Sequence, residues 1–244
     1  MAQLSKIELT EATWNPVTGC TKMSDGCKNC YAQRMAMRLH AMGNKRYKNG
    51  FDVTLHYDLL TLPLKWKKPK IIFVNSMSDL FHKKVPVSFI KSVFNTMSRA
   101  DWHVFQIVTK RSDRLAELAT KLDWPSNVWV GVTVESNKYL HRIKDLQHIP
   151  ASVKFVSMEP LLSDFPNFST KGLDWVIVGG ESGPHSRPIE ADWVRTIREQ
   201  CVTEKAPFFF KQWGGFRKAL NGSVLDGQTW KQMPSITEKQ PQLI

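Results

Sequence analysis

Residues 104–111 read VFQIVTKR, and this stretch combines the two features that decide the fold. The run Val104–Thr109 is short, mostly apolar and nearly continuous, which is typical of a parallel strand covered on both faces. Two cations, Lys110 and Arg111, follow directly at the point where such a strand would end. The stretch therefore predicts a buried strand that delivers charged side chains to one edge of a sheet.

Five further runs repeat this pattern along the 244 residues. They are Ile71–Asn75, Val128–Val134, Val153–Ser157, Trp175–Val178 and Phe208–Phe210. Amphipathic helices are predicted between the strands, with apolar stripes that begin near Pro86, Leu115, Leu140 and Val194, the last after Asp192 as its N-cap. Strands that alternate with helices indicate a parallel α/β fold, either an open doubly wound sheet or a partial barrel.

The residues that follow the predicted strands favour the barrel. They are chemically varied, and comprise Ser76 and Asp79, Lys110, the triplet Glu135, Ser136 and Asn137, then Glu159, Gly180 with Glu181, and Lys211. In an α/β barrel the carboxyl ends of all strands converge on one site, whereas an open sheet concentrates functional groups near one switch point. Six such ends predict an α/β fold of the partial, roughly six-strand TIM type. Taken singly, Glu135 or Glu159 is equally well explained as a helix cap.

The chain is strongly basic. Its formal net charge is +12 and its pI is near 9.6, and residues 1–70 alone carry 12 basic and 5 acidic side chains. The densest run is Lys65–Lys70, which contains Trp66 as the best candidate for an exposed stacking face. A polyanionic partner such as a nucleic acid is the expected reason, and a basic surface with no partner is the alternative.

Composition excludes several classes of protein. With 42% hydrophobic residues and 13 each of Gly and Pro, the chain is neither disordered throughout nor collagen-like. No apolar run approaches the length of a membrane span, and Met1–Thr10 lacks the apolar centre of a signal peptide. We therefore expect a cytoplasmic protein with no membrane association. The sequence predicts no oligomeric state.

Three of the four cysteines are clustered as Cys20-x6-Cys27-x2-Cys30, while Cys201 lies on an apolar helical stripe and is expected to be buried. Thiolates are soft ligands for zinc, copper(I) or iron–sulfur clusters. A structural zinc site needs a fourth protein ligand, and no second Cys pair or His pair is present to supply it. A 4Fe–4S cluster held by three cysteines is favoured, because one open iron would then accept a ligand; zinc and unligated thiols are the alternatives.

Longer strings around these cysteines resemble known proteins. ATWNPVTGC (12–20), GCKNCYA (26–32), FKQWG (210–214) and LDGQTW (225–230) resemble a phage and prophage three-cysteine protein family of unknown function with a radical-SAM-like motif. The cysteines also follow a short predicted strand near Thr13–Trp14 and precede a predicted helix over Tyr31–Met42, as in a radical S-adenosylmethionine (SAM) enzyme. The resemblance implies one radical-SAM-like domain over residues 1–244, with a cluster loop at 15–31 and a C-terminal extension at 214–244.

The chain departs from the commonest radical SAM pattern in its first cysteine gap, which is x6 rather than x3, and in the place of its aromatic residue. Tyr31 follows the last cysteine, and its expected role is adenine stacking. Gly180 and Glu181 follow a late strand instead of the second, so the resemblance assigns the SAM amino group to Asp79, in the stretch that contains Ser76, and a substrate or ribose role to Glu181. Glu135, Ser136 and Asn137 are assigned to the ribose hydroxyls or the SAM carboxylate.

The remaining expectations concern chemistry and partners. Lys110, Arg111 or Lys211 is expected to pair with the SAM carboxylate or a substrate phosphate, and Glu159 to act as an acid or base. The implied activity is formation of a 5′-deoxyadenosyl radical that modifies or rearranges a base, nucleotide or nucleic acid of phage origin, with a reductant such as flavodoxin or ferredoxin. The alternatives are a non-catalytic nucleic-acid-binding protein with a zinc or Fe–S knuckle, and a SAM-independent iron–sulfur repair or nuclease accessory protein.

Overall fold

A computed structural model of the chain describes residues 3–4 and 8–235. Its strands are β1 (Gln3–Leu4), β2 (Ala12–Trp14), β3 (Val17–Thr18), β4 (Thr54–Leu55), β5 (Ile71–Val74), β6 (Val104–Thr109), β7 (Val128–Thr133), β8 (Val153–Met158), β9 (Trp175–Gly179), β10 (Phe208–Gln212), β11 (Val224–Leu225) and β12 (Gln228–Thr229). Its helices are α1 (Tyr31–Ala41), α2 (Val87–Arg99), α3 (Ser112–Leu118), α4 (His141–Gln147), α5 (Ala191–Thr203) and α6 (Lys218–Asn221).

Eight strands form one sheet in the order β1-β2-β5-β6-β7-β8-β9-β10. The seven strands from β2 to β10 in this order run parallel, and β1 pairs antiparallel with β2 at one edge. The parallel strands curl into a half-barrel, which confirms the predicted α/β partial barrel. All six long strands begin where the sequence predicts, and the short strand near Thr13–Trp14 supplies the seventh.

The two faces of the sheet carry different cores. The outer core joins the sheet to the helices and includes Cys201, which is fully buried on α5 as its stripe predicts. The inner core fills the half-barrel near the amino ends of the strands, where Trp175 packs edge-on against Trp129 with ring centroids 6.2 Å apart. Phe155 lies across the middle of the concave face, and a Cβ at Gly131 would lie 2.5 Å from its ring. Large inward side chains therefore close the amino end of the half-barrel and leave its carboxyl end open.

The basic run Lys65–Lys70 lies away from this open end. It leads directly into Ile71, the first residue of β5, so it belongs to the amino ends of the strands. Trp66 is buried, its carbonyl accepts a hydrogen bond from Trp102 (2.8 Å), and its ring packs edge-on to His103. The prediction that Trp66 is an exposed stacking face is therefore wrong: the lysines face solvent while the indole between them turns into the core.

Two smaller points concern helix α5 and the extension. The N-cap of α5 is Glu190, and Asp192 lies in the first turn. The predicted N-cap is therefore two residues after the observed one. The C-terminal extension is described as far as residue 235, and the remainder of the predicted 214–244 segment lies outside the described residues. Within it, Trp230 accepts a hydrogen bond at its carbonyl from the Phe210 N–H (2.9 Å), which ties the extension to β10. No helix in the described part of the chain is long and apolar enough to cross a membrane.

Candidate functional site

A cavity of about 880 Å³ opens at the carboxyl ends of the parallel strands. This volume is within the usual range for small-molecule and cofactor sites. The predicted site residues that line it are Cys20, Cys27, Cys30, Tyr31, Ser76, Asp79, Lys110, Glu159, Gly180, Glu181 and Lys211. The structure thus brings together the three clustered cysteines and the polar ends of five strands. Glu135, Ser136 and Asn137 are not part of the lining.

The first cysteine is fixed by close backbone packing. The Gly19 N–H donates to the carbonyl of Met77 (3.0 Å), and the Cys20 N–H donates to the carbonyl of Phe51 (3.1 Å). Gly19 has a φ of 83°, and a Cβ there would lie 2.2 Å from the carbonyl oxygen of Asp52. Only glycine fits both the left-handed backbone and this close approach, so Gly19 holds Cys20 against the segment at 51–52.

Glu135 fastens the cluster loop from the end of β7. Its carboxylate is fully buried, accepts a hydrogen bond from the Gly26 N–H (3.2 Å) and forms an ion pair with Arg142 (2.8 Å). Arg142 lies on the apolar stripe of α4, 2% exposed, with its guanidinium 4.1 Å from the centroid of the Tyr139 ring. A buried carboxylate committed to the loop does not reach the cavity, which corrects its assignment to ribose or SAM.

The two residues after Glu135 are also corrected. Asn137 donates through its carboxamide to the carbonyl of Asp164 (2.6 Å), and its own N–H donates to Ser163 (3.2 Å), so it anchors the loop that follows β8. The Ser136 hydroxyl is buried and lies outside the cavity lining. Neither residue lines the cavity, and the chain enters a helical turn directly after Ser136.

Glu181 fastens the same loop from the end of β9. Its carboxylate accepts hydrogen bonds from the carboxamide of Asn29 (2.9 Å) and from Arg187 (2.6 Å). Arg187 also donates to the carbonyl of Asp25 (3.0 Å). Burial alone would raise the pKa of Glu181, but the hydrogen bonds from Arg187 and Asn29 more than offset burial and lower that pKa. Two carboxylates on different strands therefore hold the loop that carries Cys27 and Cys30.

Asp79 is saturated with donors. Its carboxylate accepts from the Phe81 N–H (3.0 Å), the Thr109 hydroxyl (2.7 Å), the Lys110 N–H (3.3 Å) and the Arg111 guanidinium (3.1 Å). A carboxylate offers about four acceptor positions, so these donors fill them. Asp79 thus fixes the loop after β6 while it lines the cavity, and its role toward an amino group stays a prediction.

The two cations after β6 have different surroundings. Arg111 is paired with Asp79 and also donates to the carbonyl of Thr21 (3.1 Å). Among the described residues, the Lys110 ammonium has no hydrogen-bond or ion-pair partner, and it lines the cavity. Lys110 is thus the cation of this loop that remains available to an anionic ligand.

Glu159 and Lys211 form an ion pair inside the cavity. The Lys211 ammonium lies 2.8 Å from Oε1 of Glu159, and the Ser157 hydroxyl donates to Oε2 (3.1 Å). Both side chains are about one-fifth exposed. The pair joins the ends of β8 and β10, and it presents an acid, a base and a hydroxyl to whatever occupies the cavity.

The three clustered thiols share the cavity wall but differ electrostatically. Burial, followed by the charge of Asp79, raises the pKa of Cys20 to about 11. Burial opposes ionisation of Cys27 as well, yet a backbone hydrogen bond from Met23 and the charge of Lys110 outweigh it, so the pKa of Cys27 is lowered. Cys27 is the thiol that the surrounding chain prepares for ionisation.

The described residues contain no group of three or more His, Cys, Asp and Glu side chains that could hold a single metal ion. A cubane cluster differs from a single ion, because each thiolate binds a different iron and the three sulfur atoms surround the cluster. Cys20, Cys27 and Cys30 are each partly exposed and line one cavity. The donor set, three soft thiolates, matches an iron–sulfur cluster.

Tyr31 begins α1 directly after Cys30. Its hydroxyl donates to the carbonyl of Ser76, so the tyrosine ring closes the gap between α1 and the end of β5. About half of the side chain is exposed, and it lines the cavity. Sequence reasoning missed Asn29, Arg142 and Arg187, which orient the loop. Of these three, only Arg142 could have been noticed in the sequence, because it is a cation on an otherwise apolar helical stripe.

The comparisons with known proteins agree with this architecture. Residues 4–234 match the family described as "Protein of unknown function (DUF5131)". The chain belongs to the DUF5131 family. No curated protein matches this DUF5131 chain in sequence.

The DUF5131 chain is similar in fold to solved structures of spore photoproduct lyase, a radical SAM enzyme. The TM-score is 0.51 at 11% identity for its complex with dinucleoside spore photoproduct, and 0.52 at 12% for a single-residue variant. For a double variant with bound AdoMet and dinucleoside spore photoproduct it is 0.50 at 10%. Each comparison covers 82% of this chain and 63% of the other, so the chain spans less than two thirds of those proteins. At such identity the likeness is one of fold.

Proposed function

We propose that this protein is a radical SAM enzyme that holds a 4Fe–4S cluster on Cys20, Cys27 and Cys30 and acts on a nucleotide or nucleic acid. The single observation that carries the proposal is the place of these three cysteines. They lie on one wall of a cavity at the carboxyl end of a half-barrel, and that half-barrel is similar to the fold of spore photoproduct lyase. When bound there, a cluster with SAM supplies one-electron cleavage of the sulfonium and abstraction of hydrogen from carbon.

The chain's own residues position this chemistry. Glu135 and Glu181 hold the cluster loop from two strands, and Gly19 fixes Cys20 from the other side. Preorganised ligands need such outer support, because a loop that shifts by 1 Å loses its geometry. Against burial, the backbone hydrogen bond from Met23 and the charge of Lys110 lower the pKa of Cys27. Lys110 also offers its ammonium to an anionic group, for which the SAM carboxylate and a substrate phosphate are the candidates.

We propose that the Glu159–Lys211 pair donates and accepts protons during the reaction. Its acid and base are already in contact, and the Ser157 hydroxyl orients the carboxylate. Tyr31, half exposed beside Cys30, is proposed to stack on the adenine. Ser76 and Gly180 also line the cavity, and we propose that both contact the cofactor.

A nucleotide or nucleic-acid substrate is supported by charge. The net charge is +12, and Arg34, Lys110 and Arg111 line the cavity. The relatives in fold support it further, since spore photoproduct lyase is seen with a dinucleoside lesion. A phage origin of the substrate, and flavodoxin or ferredoxin as reductant, remain predictions of the sequence resemblance.

The proposal is tested by anaerobic reconstitution with iron and sulfide. We expect about four irons and four sulfides per chain and a brown protein, and we expect Cys27→Ala to lose most of both. Cys201→Ala is the matched control, because Cys201 is buried in the outer core and is expected to leave iron and sulfide unchanged. A colourless protein that binds one zinc per chain would contradict the proposal and favour the zinc-knuckle alternative.

A further inference from the structure

Apolar side chains form much of the floor of the cavity. Phe73, Phe155 and Ile177 face the concave side of the half-barrel and line the cavity. Gln106 lies among them on β6, opposite Phe73 on one neighbouring strand and opposite Trp129 on the other. Its side chain is 3% exposed. A carboxamide is thus placed between two aromatic residues on the neighbouring strands.

The nitrogen of this carboxamide is buried. Among the described residues, the side-chain nitrogen of Gln106 has no hydrogen-bond partner, and neither has the indole nitrogen of Trp129 beside it. A buried polar group without a partner costs free energy, so such groups are rare and concentrate at sites that bind something. Gln106 lines the cavity, and rotation of its carboxamide about the terminal torsion brings the N–H to a ligand that enters there.

Charge divides the cavity into two levels. Lys110 follows the end of β6 and Arg34 lies on α1, so these two cations lie at the mouth, whereas the charge of Arg111 is paired with Asp79. Glu8 precedes β2 and also lines the cavity. Its carboxylate forms an ion pair with the Lys231 ammonium at 2.7 Å, which neutralises its charge. A phosphate is therefore stabilised at the mouth, whereas the floor suits a flat, uncharged group that carries a hydrogen-bond acceptor.

Resting on the function proposed above, we infer that Gln106 recognises the base of the nucleotide substrate. Its carboxamide N–H donates to an acceptor on the edge of the base, and Phe73 and Phe155 supply apolar contact to the ring. Enzymes that act on a base commonly take it into such a pocket, with hydrogen bonds to its edge and apolar contacts to its faces. Gln106 is then a specificity-determining residue, and the phosphates stay at the mouth.

The inference makes an unusual joint prediction for Gln106→Leu and Gln106→Met. Each variant removes an unpaired buried amide, so the free protein should unfold at the same or a higher urea concentration than the wild type. Each also removes a donor to the base, so the Kd for a base-containing ligand should rise about threefold to tenfold. A glutamine that only supports the fold would give the opposite pattern, lower stability and unchanged binding.

The test uses the reconstituted full-length chain without reductant and five probes. These are the dinucleotides d(TpT), d(CpC), d(ApA) and d(GpG), and an abasic dinucleotide in which one base is replaced by hydrogen. The wild type should bind at least one base-containing probe more tightly than the abasic one. The Gln106 variants should lose that preference and bind the abasic probe as the wild type does. Gln228→Leu makes the same chemical change at an exposed position of β12 and should alter neither stability nor Kd.

Two results would overturn the inference: a wild type with no preference for a base, or Gln106 variants that keep the wild-type preference. If Gln106→Leu does not fold, the test is decided by Gln106→Met, which preserves the unbranched shape of the glutamine side chain. Equilibrium binding is read without SAM cleavage. Failure of the inference is therefore distinguished from failure of the proposed enzyme function, which is judged by iron loading and by SAM cleavage in the wild type.

Discussion

The Glu135 carboxylate accepts a hydrogen bond from the Gly26 N–H across 109 positions of sequence, at 3.2 Å. Its second oxygen is 2.8 Å from Arg142, and neither side chain is more than 2% exposed. A loop that carries two candidate cluster ligands is thus tied to the buried end of β7. The tie places Glu135 behind the site as a positioning residue.

Breaking this buried pair should be costly. Glu135→Gln leaves the Arg142 charge uncompensated in the interior, and we expect a loss of about 3–5 kcal/mol in the free energy of unfolding. The double variant Glu135→Gln with Arg142→Met removes the stranded charge and should recover part of that loss. Urea unfolding measures both. The exposed Glu117, paired with Lys121, supplies the control: Glu117→Gln should change stability by no more than about 0.5 kcal/mol. Equal effects of Glu117→Gln and Glu135→Gln would refute the argument.

Removal of the Asn29 carboxamide should loosen the loop while the fold survives. Asn29 bridges the Glu181 carboxylate and the carbonyl of His185, and it is partly exposed. Asn29→Ala is expected to lower iron retained after desalting at least twofold, with a change in unfolding free energy below about 1 kcal/mol. Asn49→Ala removes a comparable bond to Thr54 outside the site and should retain wild-type iron. Unchanged iron in Asn29→Ala would show that the bridge does not support the loop.

The Glu159–Lys211 contact should appear as energetic coupling. Each single variant, Glu159→Gln or Lys211→Met, leaves a partly buried charge alone, whereas the double variant leaves none. We expect a coupling energy of about 1 kcal/mol from a double-mutant cycle on stability. The exposed Arg46–Asp58 pair, at the similar distance of 2.7 Å, should give less because solvent screens it. Additive effects at Glu159 and Lys211 would mean that the two groups do not act as a unit.

Acid should destabilise the protein well before its carboxylates titrate. Burial lowers the pKa of His103, which is fully enclosed near Trp66, and burial also lowers the pKa of His56. The unfolded chain takes up protons on these rings near pH 6.5, whereas the folded chain resists them. The free energy of unfolding should therefore fall as pH drops from about 7 to 5.

His103→Phe is expected to make this fall shallower, and urea unfolding at several pH values measures it. His148 is exposed at the end of α4, so His148→Phe serves as the control and should keep the wild-type slope. An identical pH slope in His103→Phe and the wild type would contradict the assignment of the acid sensitivity to His103.

The fold was largely predictable because it depends on local pattern. Parallel strands covered on both faces read as apolar runs, and Val104–Thr109 has the same bounds in the sequence prediction and in the structure. The surroundings of Trp66 were not predictable in this way. A run of lysines suggests that the tryptophan within it is exposed. The Trp66 indole nevertheless packs into the core between exposed lysines, and only tertiary packing determines its direction.

The candidate site was predictable in membership and less so in roles. Convergence of strand ends follows from topology, which is why Glu159 and Lys211 meet although 52 positions separate them. Roles depend on partners that are distant in sequence. Nothing in the sequence around Glu181 indicates that Arg187 and Asn29 donate hydrogen bonds to it. Nothing around Asp79 indicates which donors fill its carboxylate. A single carboxylate in a loop does not reveal whether it faces a ligand or the protein.

The most direct measurement of the central claim is release of 5′-deoxyadenosine from SAM by the reconstituted protein with dithionite, without oxygen. We expect the wild type and Cys201→Ala to release it, and Cys20→Ala, Cys27→Ala and Cys30→Ala to fall to the level of free iron and sulfide. The three lining cysteines would then support the chemistry proposed for the cavity. A wild type that carries a full complement of iron and sulfide, binds SAM and yet releases no 5′-deoxyadenosine, with or without dinucleotides, would contradict it.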